Sequence, residues 1–345
     1  MNLKNKDYLP LDKFIEKALY DKSTGYYMKK NPFGARGDFI TSPNISILFS
    51  EMISIWLVTL WEHLKKPNKI NIVELGAGNG EMLLQIIKTA KQFPNFINSS
   101  NFFILEKSPL LKKIQKEKLK FTKVSWLNKI QKVKDGPTVF LCNEFFDALP
   151  IKQIIKKNDN WYEKYIKITG KKKFIYKKFN IENFEKKIGI KVSKKQNFIE
   201  FSPSTFKILY EISKVINKQN GGILIIDYGN FKEKMFDSIT CYKKHKIVNI
   251  LNENNMDITY KINFGLIEKI VKKFKLQVRG TSNQRDFLIR LGIIKRAEII
   301  SQNLKFSKKI DIYSRLKRLI DVKEMGNLFK VAFISNKKLN FKVGF

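Results

Sequence analysis

Apolar residues recur along this chain at two spacings. Leu11, Phe14, Ile15, Ala18 and Leu19 fall one helical turn apart and predict an amphipathic helix over 11–20, stopped by the turn cluster at 21–25. Ile70, Ile72, Val73 and Leu75 instead form a short β-branched run, the pattern of a strand buried on both faces, and Met82, Leu83, Ile86 and Ile87 return to helical spacing. Similar apolar runs predict strands at 102–106, 124–126, 138–142, 223–229, 276–279 and 329–335. Helical spacing predicts helices at 44–64, 83–90, 110–119, 201–217, 266–274 and 284–291. Ser42 or Asn44 is the expected cap of the 44–64 helix, and Pro109 suits the first position of the 110–119 helix. Residues 92–101, around Pro94, read as a polar loop, and 231–264, which includes His245, as irregular. Between 151 and 200, strand-like pieces at 151–156 and 161–168 alternate with lysine-rich turns, which suggests a β-rich insertion. Strands alternating with helices predict an α/β fold with a parallel sheet. The divisions expected are an N-terminal helical segment over 1–69, a nucleotide-binding half over 70–150, the insertion and a helix over 151–220, and the rest of the core over 221–345.

The strand at 70–75 runs into Gly76-Ala77-Gly78-Asn79-Gly80-Glu81. A dinucleotide fingerprint places its third glycine three residues after the second, inside the helix. Here that position is Glu81, and the glycines alternate at Gly76, Gly78 and Gly80. Glu74-x-Gly76-x-Gly78-x-Gly80 is the pattern of S-adenosylmethionine (SAM) sites, where glycines let the backbone approach the amino-acid and ribose portions of the cofactor, although glycine triplets also occur in ordinary strand-to-helix turns. The strand at 102–106 ends in Glu106, placed as a ribose-binding acid would be. The strand at 138–142 exits into Asn143-Glu144-Phe145-Phe146-Asp147-Ala148-Leu149-Pro150. Ligands of open α/β sheets lie beyond the carboxyl ends of strands, so Asn143, Glu144 and Asp147 are placed to meet a methyl acceptor; the plainer alternative is that the two acids begin a helix. The stretch Gly37-Asp38-Phe39-Ile40-Thr41-Ser42-Pro43 reads as a surface loop or as backbone folding over a ligand.

Composition narrows the class without choosing the partner. The chain has 345 residues, 43% of them hydrophobic and 13% aromatic, enough for a full core and too apolar for a disordered chain. Lys and Arg number 67 against 31 Asp and Glu, a net charge of +36, which invites a nucleic-acid or acidic partner. Lysines are scattered through every segment, which weighs against a dedicated nucleic-acid reader. Cys142 and Cys241 have no CxxC neighbour, so neither a disulfide framework nor a metal site is expected, and Cys142 reads as a small buried hydrophobe. The first ten residues lack signal or transit character, so a cytoplasmic chain is expected, with the mitochondrial matrix as its organellar equivalent. Residues 45–64 approach membrane-span length but carry two glutamates and several hydroxyls, so a buried or partner-facing helix, and with it a homodimer, is the better expectation.

These blocks together resemble one family, the MidA-type SAM-dependent methyltransferases, relatives of a mitochondrial complex I assembly factor that methylates arginine. The resemblance rests on Gly25-Tyr26-Tyr27, the 37–43 stretch, Glu74 to Gly80 and Asn143 to Pro150. It extends to Asp227-Tyr228-Gly229, Asp257-Ile258-Thr259, Asp286-Phe287-Leu288, Leu291-Gly292-Ile293 and Met325 to Lys330. It implies a class I, Rossmann-like methyltransferase sheet with an N-terminal helical segment over the cofactor. SAM is the implied cofactor, and a protein arginine, on a respiratory-chain subunit or similar, the implied acceptor. The cofactor-binding residues so implied are Glu74, Gly76, Gly78, Gly80, Glu106, Asn143, Gly37 and Thr41. Glu144, Asp147 and Asp38 are the candidate catalytic acids, since carboxylates can hold a guanidinium and take its proton. The chain departs from the family at Ala77 (usually Pro), Asn44 (usually Glu), Ser50 (usually Gly) and Asn263 (usually Asp). The changes at Asn44 and Asn263 bear on acceptor contacts. RNA or small-molecule methylation, and SAM binding by an assembly factor without turnover, are the rival readings.

Overall fold

Four of the six residues of Ile70–Leu75, Ile70, Ile72, Val73 and Leu75, are apolar and fall on both faces of the strand, which is buried at every position, Asn71 and Glu74 included. In the computed structural model, which describes residues 7–29, 31–32, 41–244 and 246–345, this strand lies inside a mixed sheet. The order is Gln277–Asn283, Phe329–Ser335, Gly221–Asn230, Thr138–Asn143, Ile70–Leu75, Ser100–Leu105 and Val124–Leu127. Gly221–Asn230, Thr138–Asn143, Ile70–Leu75, Ser100–Leu105 and Val124–Leu127 pair in parallel, and Phe329–Ser335 runs antiparallel to both neighbours. Parallel pairing aligns the carboxyl ends of Ile70–Leu75, Ser100–Leu105 and Thr138–Asn143 along one edge.

The chain divides into two compact units. One comprises Met1–Lys30, Phe146–Tyr210 and Asn230–Phe274; the other, which holds the mixed sheet, comprises Asn31–Phe145, Glu211–Gly229 and Lys275–Phe345. Residues 1–69, read from sequence as one segment, thus divide at Lys30/Asn31.

The sheet-bearing unit is organised around the helix Ile47–His63, most of whose positions are buried. Trp56 packs edge-on to Phe333 and Phe341, with ring centroids 5.0 and 5.5 Å away, and its indole N–H donates to the Val343 carbonyl at 3.0 Å. Each such side chain removed from water stabilises the fold by roughly 1.5–3 kcal/mol. Glu51, one of two acids in this helix, accepts Nε and a terminal nitrogen of Arg296, each at 2.9 Å. The helix is therefore buried in its own unit, and the apolar face that suggested a dimer is already covered. Among the described residues no helix is long and apolar enough to cross a membrane.

The helix expected over 44–64 is two helices. Ser42–Ile45 ends at Ser46, whose backbone is extended (φ −150°, ψ 138°) and whose hydroxyl accepts from the Leu48 N–H, so Ser46 and not Ser42 or Asn44 caps the long helix. Pro94 starts a helix, Pro94–Ser99, where a loop was expected, because proline is tolerated in the first turn.

The other unit carries an antiparallel sheet in the order Tyr8–Pro10, Asn160–Lys167, Lys152–Lys157 and Phe198–Phe201, with Lys173–Lys178 added to Asn160–Lys167. Helix Leu11–Tyr20 matches its periodicity. Residues 231–264 are not irregular throughout: Thr240–Lys243 pairs with Lys246–Val248 and Asp257–Thr259 in a small sheet. His245 lies outside the described residues.

Candidate functional site

The glycine turn follows from backbone geometry. Gly76, Gly78 and Gly80 have φ of 66°, 52° and 79°, the left-handed region that glycine enters without steric cost. A Cβ on Gly76 would also stand 2.7 Å from the Phe145 ring. Gly80 is the N-cap of helix Glu81–Ala90, so the amide groups of the first helical turn border the turn, with the Glu81 N–H donating to Asn79 Oδ1 at 3.2 Å. Glu81, the residue that breaks the dinucleotide spacing, accepts from Lys118 at 2.6 Å and from Gln85 at 2.8 Å.

Two acids stand at this turn. Glu74 is 4% exposed; burial, reinforced by the negative charge of Glu106, pushes its carboxyl up to about 8. Its Oε2 has no partner among the described residues. Glu106 follows the end of Ser100–Leu105. One oxygen accepts the Lys107 and Ser108 N–H groups at 2.8 and 2.9 Å and the other accepts Gln115 Nε2 at 3.0 Å, while burial raises its pKa.

Gln115 is the residue that sequence reasoning missed. It is fully buried on helix Pro109–Lys118. Its Nε2 donates both to the Gly78 carbonyl (2.9 Å) and to Glu106, and its Oε1 accepts the Trp126 indole N–H (2.9 Å). One amide thus ties the glycine turn to the strand-end acid. A signal existed: Leu111, Gln115 and Leu119 form one buried stripe at four-residue spacing, and a glutamine in such a stripe must satisfy its polar groups locally.

The exit of Thr138–Asn143 is pinned from the neighbouring strand. Asp227, fully buried, accepts the Phe145 N–H at 3.2 Å and the Tyr228 N–H at 2.8 Å, and the Glu144 N–H donates to the Ile226 carbonyl at 3.0 Å. Glu144 is held in the left-handed region, φ 49°. Its Oε1 accepts the Ser42 N–H at 3.0 Å and Asn143 Nδ2 at 3.2 Å. Burial pushes its carboxyl up to about 7, against the Ser42 and Asn143 hydrogen bonds and the charge of Arg318, which pull the other way. Asn143 Oδ1 is buried without a partner among the described residues.

One cleft in this unit is lined by Thr41, Glu74, Gly76, Gly78, Asn143 and Glu144, with Pro43, Asn44, Ala77, Asn79, Glu81 and Met82. Six of the sequence-predicted site residues therefore share one cavity. Asn44 closes its side: its Oδ1 accepts Asn79 Nδ2 at 2.8 Å and its Nδ2 donates to Thr41 Oγ1 at 2.7 Å. Gly80 and Glu106 adjoin through the turn and Gln115 without lining the cleft. Asp147 belongs to the other unit, where its carbonyl accepts the Tyr260 N–H at 3.2 Å. Gly37 and Asp38 lie outside the described residues.

The donor set suits SAM. The amino group of its methionine portion is a donor cation, and Glu74 Oε2 and Asn143 Oδ1 are buried acceptors in need of donors. Ribose hydroxyls are likewise donors for a carboxylate such as Glu106. Fold and cleft together define a class I SAM-dependent methyltransferase.

The comparisons give the family. The model of the family described as "Putative S-adenosyl-L-methionine-dependent methyltransferase" matches residues 52–282, and the chain belongs to that family. It is 30% identical over 348 residues to the Caenorhabditis elegans "Protein arginine methyltransferase NDUFAF7 homolog, mitochondrial", covering 92% of this chain and 80% of that protein. It is 27% identical over 361 residues to the Xenopus tropicalis "Protein arginine methyltransferase NDUFAF7, mitochondrial", covering 95% and 82%. Among solved structures, a Burkholderia thailandensis protein bound to S-adenosyl-homocysteine superposes with a TM-score of 0.80 at 21% identity, over 96% of this chain and 88% of that one, a likeness of fold. The protein is a SAM-dependent methyltransferase, and SAM is its cofactor.

Proposed function

We propose that this methyltransferase modifies an arginine side chain of a protein, with Glu144 holding the guanidinium and receiving its proton. The observation that carries the reading is the state of Glu144, a partly buried carboxylate at a strand exit whose two hydrogen bonds among the described residues both fall on Oε1. The names of the relatives support the acceptor class. A respiratory-chain subunit is the acceptor that the resemblance implies.

When bound, SAM supplies an electrophilic methyl group on a sulfonium sulfur. An arginine stays protonated at neutral pH and its lone pair is delocalised. Glu144 answers both difficulties. Its Oε2 can take one N–H of the fork, which aligns a guanidinium nitrogen and draws positive charge away from it. A carboxyl titrating near 7 can also accept the proton that the methylated nitrogen must lose. Ser42 N–H and Asn143 Nδ2 fix the Oε1 side, so the acceptor oxygen is oriented before the substrate arrives. Asn143 Oδ1 and Glu74 Oε2 would hold the amino group of the cofactor, and Glu106 its ribose. Asp147 and Asp38 are kept as further acids for the acceptor. The cell compartment is read as cytoplasmic or its organellar equivalent, the matrix; the relatives' names carry "mitochondrial".

The test incubates the full chain with methyl-labelled SAM and cell extract, in nuclease-treated and protease-treated arms, followed by acid hydrolysis. The expected result is nuclease-resistant, protease-sensitive label recovered as methylarginine. Label lost to nuclease, label on a small molecule, or binding of SAM with no transfer would each overturn the proposal.

A further inference from the structure

The net charge is not spread evenly. Residues 151–197 hold 15 lysines and four acids, a net +11 of the chain's +36 in about one seventh of its length. They also hold seven aromatic residues, and the strand register sets the two kinds opposite each other: Lys156 faces Trp161, Lys178 faces Tyr162 and Tyr176 faces Lys164. At the Lys156–Trp161 pair the surface opens into a groove of about 580 Å³ that also takes in Ser193, Lys195, Asn197 and Lys234. That is the size of a small-ligand site, but here the lining includes three lysines and one tryptophan.

The groove is built by buried hydrogen bonds. Glu185 Oε1 accepts the Val192 and Ser193 N–H groups at 2.6 and 2.7 Å. Lys156 N–H donates to the Asn197 carbonyl at 2.9 Å, joining the loop to the strand. Gln196, 5% exposed, donates to the Glu233 carbonyl at 2.8 Å and accepts the Met235 N–H at 2.9 Å, so the backbone on either side of Lys234 is clamped. Lys195 is held in the left-handed region, φ 59°. The nearby acids do little to neutralise these lysines: Asp159 on Lys156 and Glu233 on Lys195 are 94% and 63% exposed, and such exposed pairs are weak.

We propose that this groove docks single-stranded RNA, one base stacking on Trp161 while flanking phosphates meet Lys156, Lys195 and Lys234. Charge complementarity selects a polyanion, and the indole between the lysines selects one that carries flat aromatic groups; an acidic peptide has no use for Trp161. The proposal concerns the antiparallel sheet of one unit and does not depend on what the cofactor cleft methylates.

The test measures fluorescence anisotropy of an end-labelled 12-nucleotide oligouridine with the full chain, from 50 to 300 mM salt. Three phosphate contacts on a single strand predict a log-affinity against log-salt slope of about −2. Trp161→Ala is expected to weaken binding about tenfold, with Trp161→Tyr restoring most of it, and Lys156→Gln/Lys195→Gln/Lys234→Gln is expected to abolish most of the slope. A control triple, Lys337→Gln/Lys338→Gln/Lys342→Gln, changes the net charge equally on exposed positions of the other unit. An equal loss in that control would show a general polycation effect and overturn the proposal. So would absence of binding at 100 mM salt, equal affinity for double-stranded RNA, or a polyglutamate peptide that binds more tightly and ignores Trp161→Ala.

Discussion

The two strands that flank Ile70–Leu75 in the sheet are each followed by a glutamate at the same edge, yet the protein treats the two acids differently. Glu106 is braced on both sides: its two oxygens accept three donors among the described residues. Glu144 is anchored through one oxygen, sits on a left-handed backbone and titrates near neutrality. A carboxylate braced on both oxygens keeps its geometry and suits binding. One braced on a single oxygen, with a pKa near 7, suits chemistry. Topology placed the two alike, and their local donors separate the roles.

The comparison breaks most visibly in turnover. Glu144→Gln keeps the shape and the Ser42 contact but cannot take a proton, so kcat should fall by about 10² or more while the KM for SAM stays within about twofold. Equal losses in kcat and cofactor affinity would erase the distinction between the two acids. Glu106→Ala should do the reverse, raising the KM for SAM about tenfold or more with kcat at saturation largely kept, as expected when charged hydrogen bonds to a ligand are lost.

Gln115→Leu sharpens the same contrast, because it leaves both acids in place and removes only the amide that ties Glu106 to the Gly78 carbonyl. The KM for SAM should rise several-fold with kcat unchanged, and Trp126, having lost its indole partner, should shift its fluorescence. Loss of this donor also moves the Glu106 pKa upward, so SAM affinity in the variant should fall further at pH 6 than at pH 8. A variant that merely unfolds would lose kcat as well.

The smallest effect expected is in stability. Folding raises the pKa of both Glu74 and Glu144 above the ordinary carboxylate value of 4.5, to about 8 and about 7. Between pH 4.5 and 8 the folded chain therefore binds more protons than the unfolded one, and stability declines as pH rises through that window. Melting curves at pH 5.5 and 8 should show a fall in Tm that Glu74→Gln diminishes. A Tm that rises instead would contradict the buried state of Glu74.

How much of this was legible depended on how local the cause was. The glycine turn and the buried strands could be read because φ preferences and apolar runs act within a few residues. The strand exit at Asn143–Pro150 was legible as a motif, but not the Asp227 clamp that sets it, since those residues lie more than 80 positions apart. The small sheet around Thr240–Lys243 was missed because its strands are three or four residues long and partly polar, and only pairing defines them. Helices Ile293–Ser301 and Phe306–Ile320 went unread, although Leu316 and Leu319 pack into the main core. Gln115 was overlooked because its value lies in three partners drawn from three different segments.

The central claim is that Glu144 takes the proton while the glycine turn and Glu106 bind the cofactor. Its most direct test is the pH dependence of kcat/KM for the methylated protein acceptor, wild type against Glu144→Gln, with SAM saturating. The account predicts a wild-type rate that rises with pH to a plateau, with a midpoint near 7 set by the free enzyme, and a variant at least 10²-fold slower that lacks this limb. A variant that keeps the same limb and the wild-type rate would contradict it.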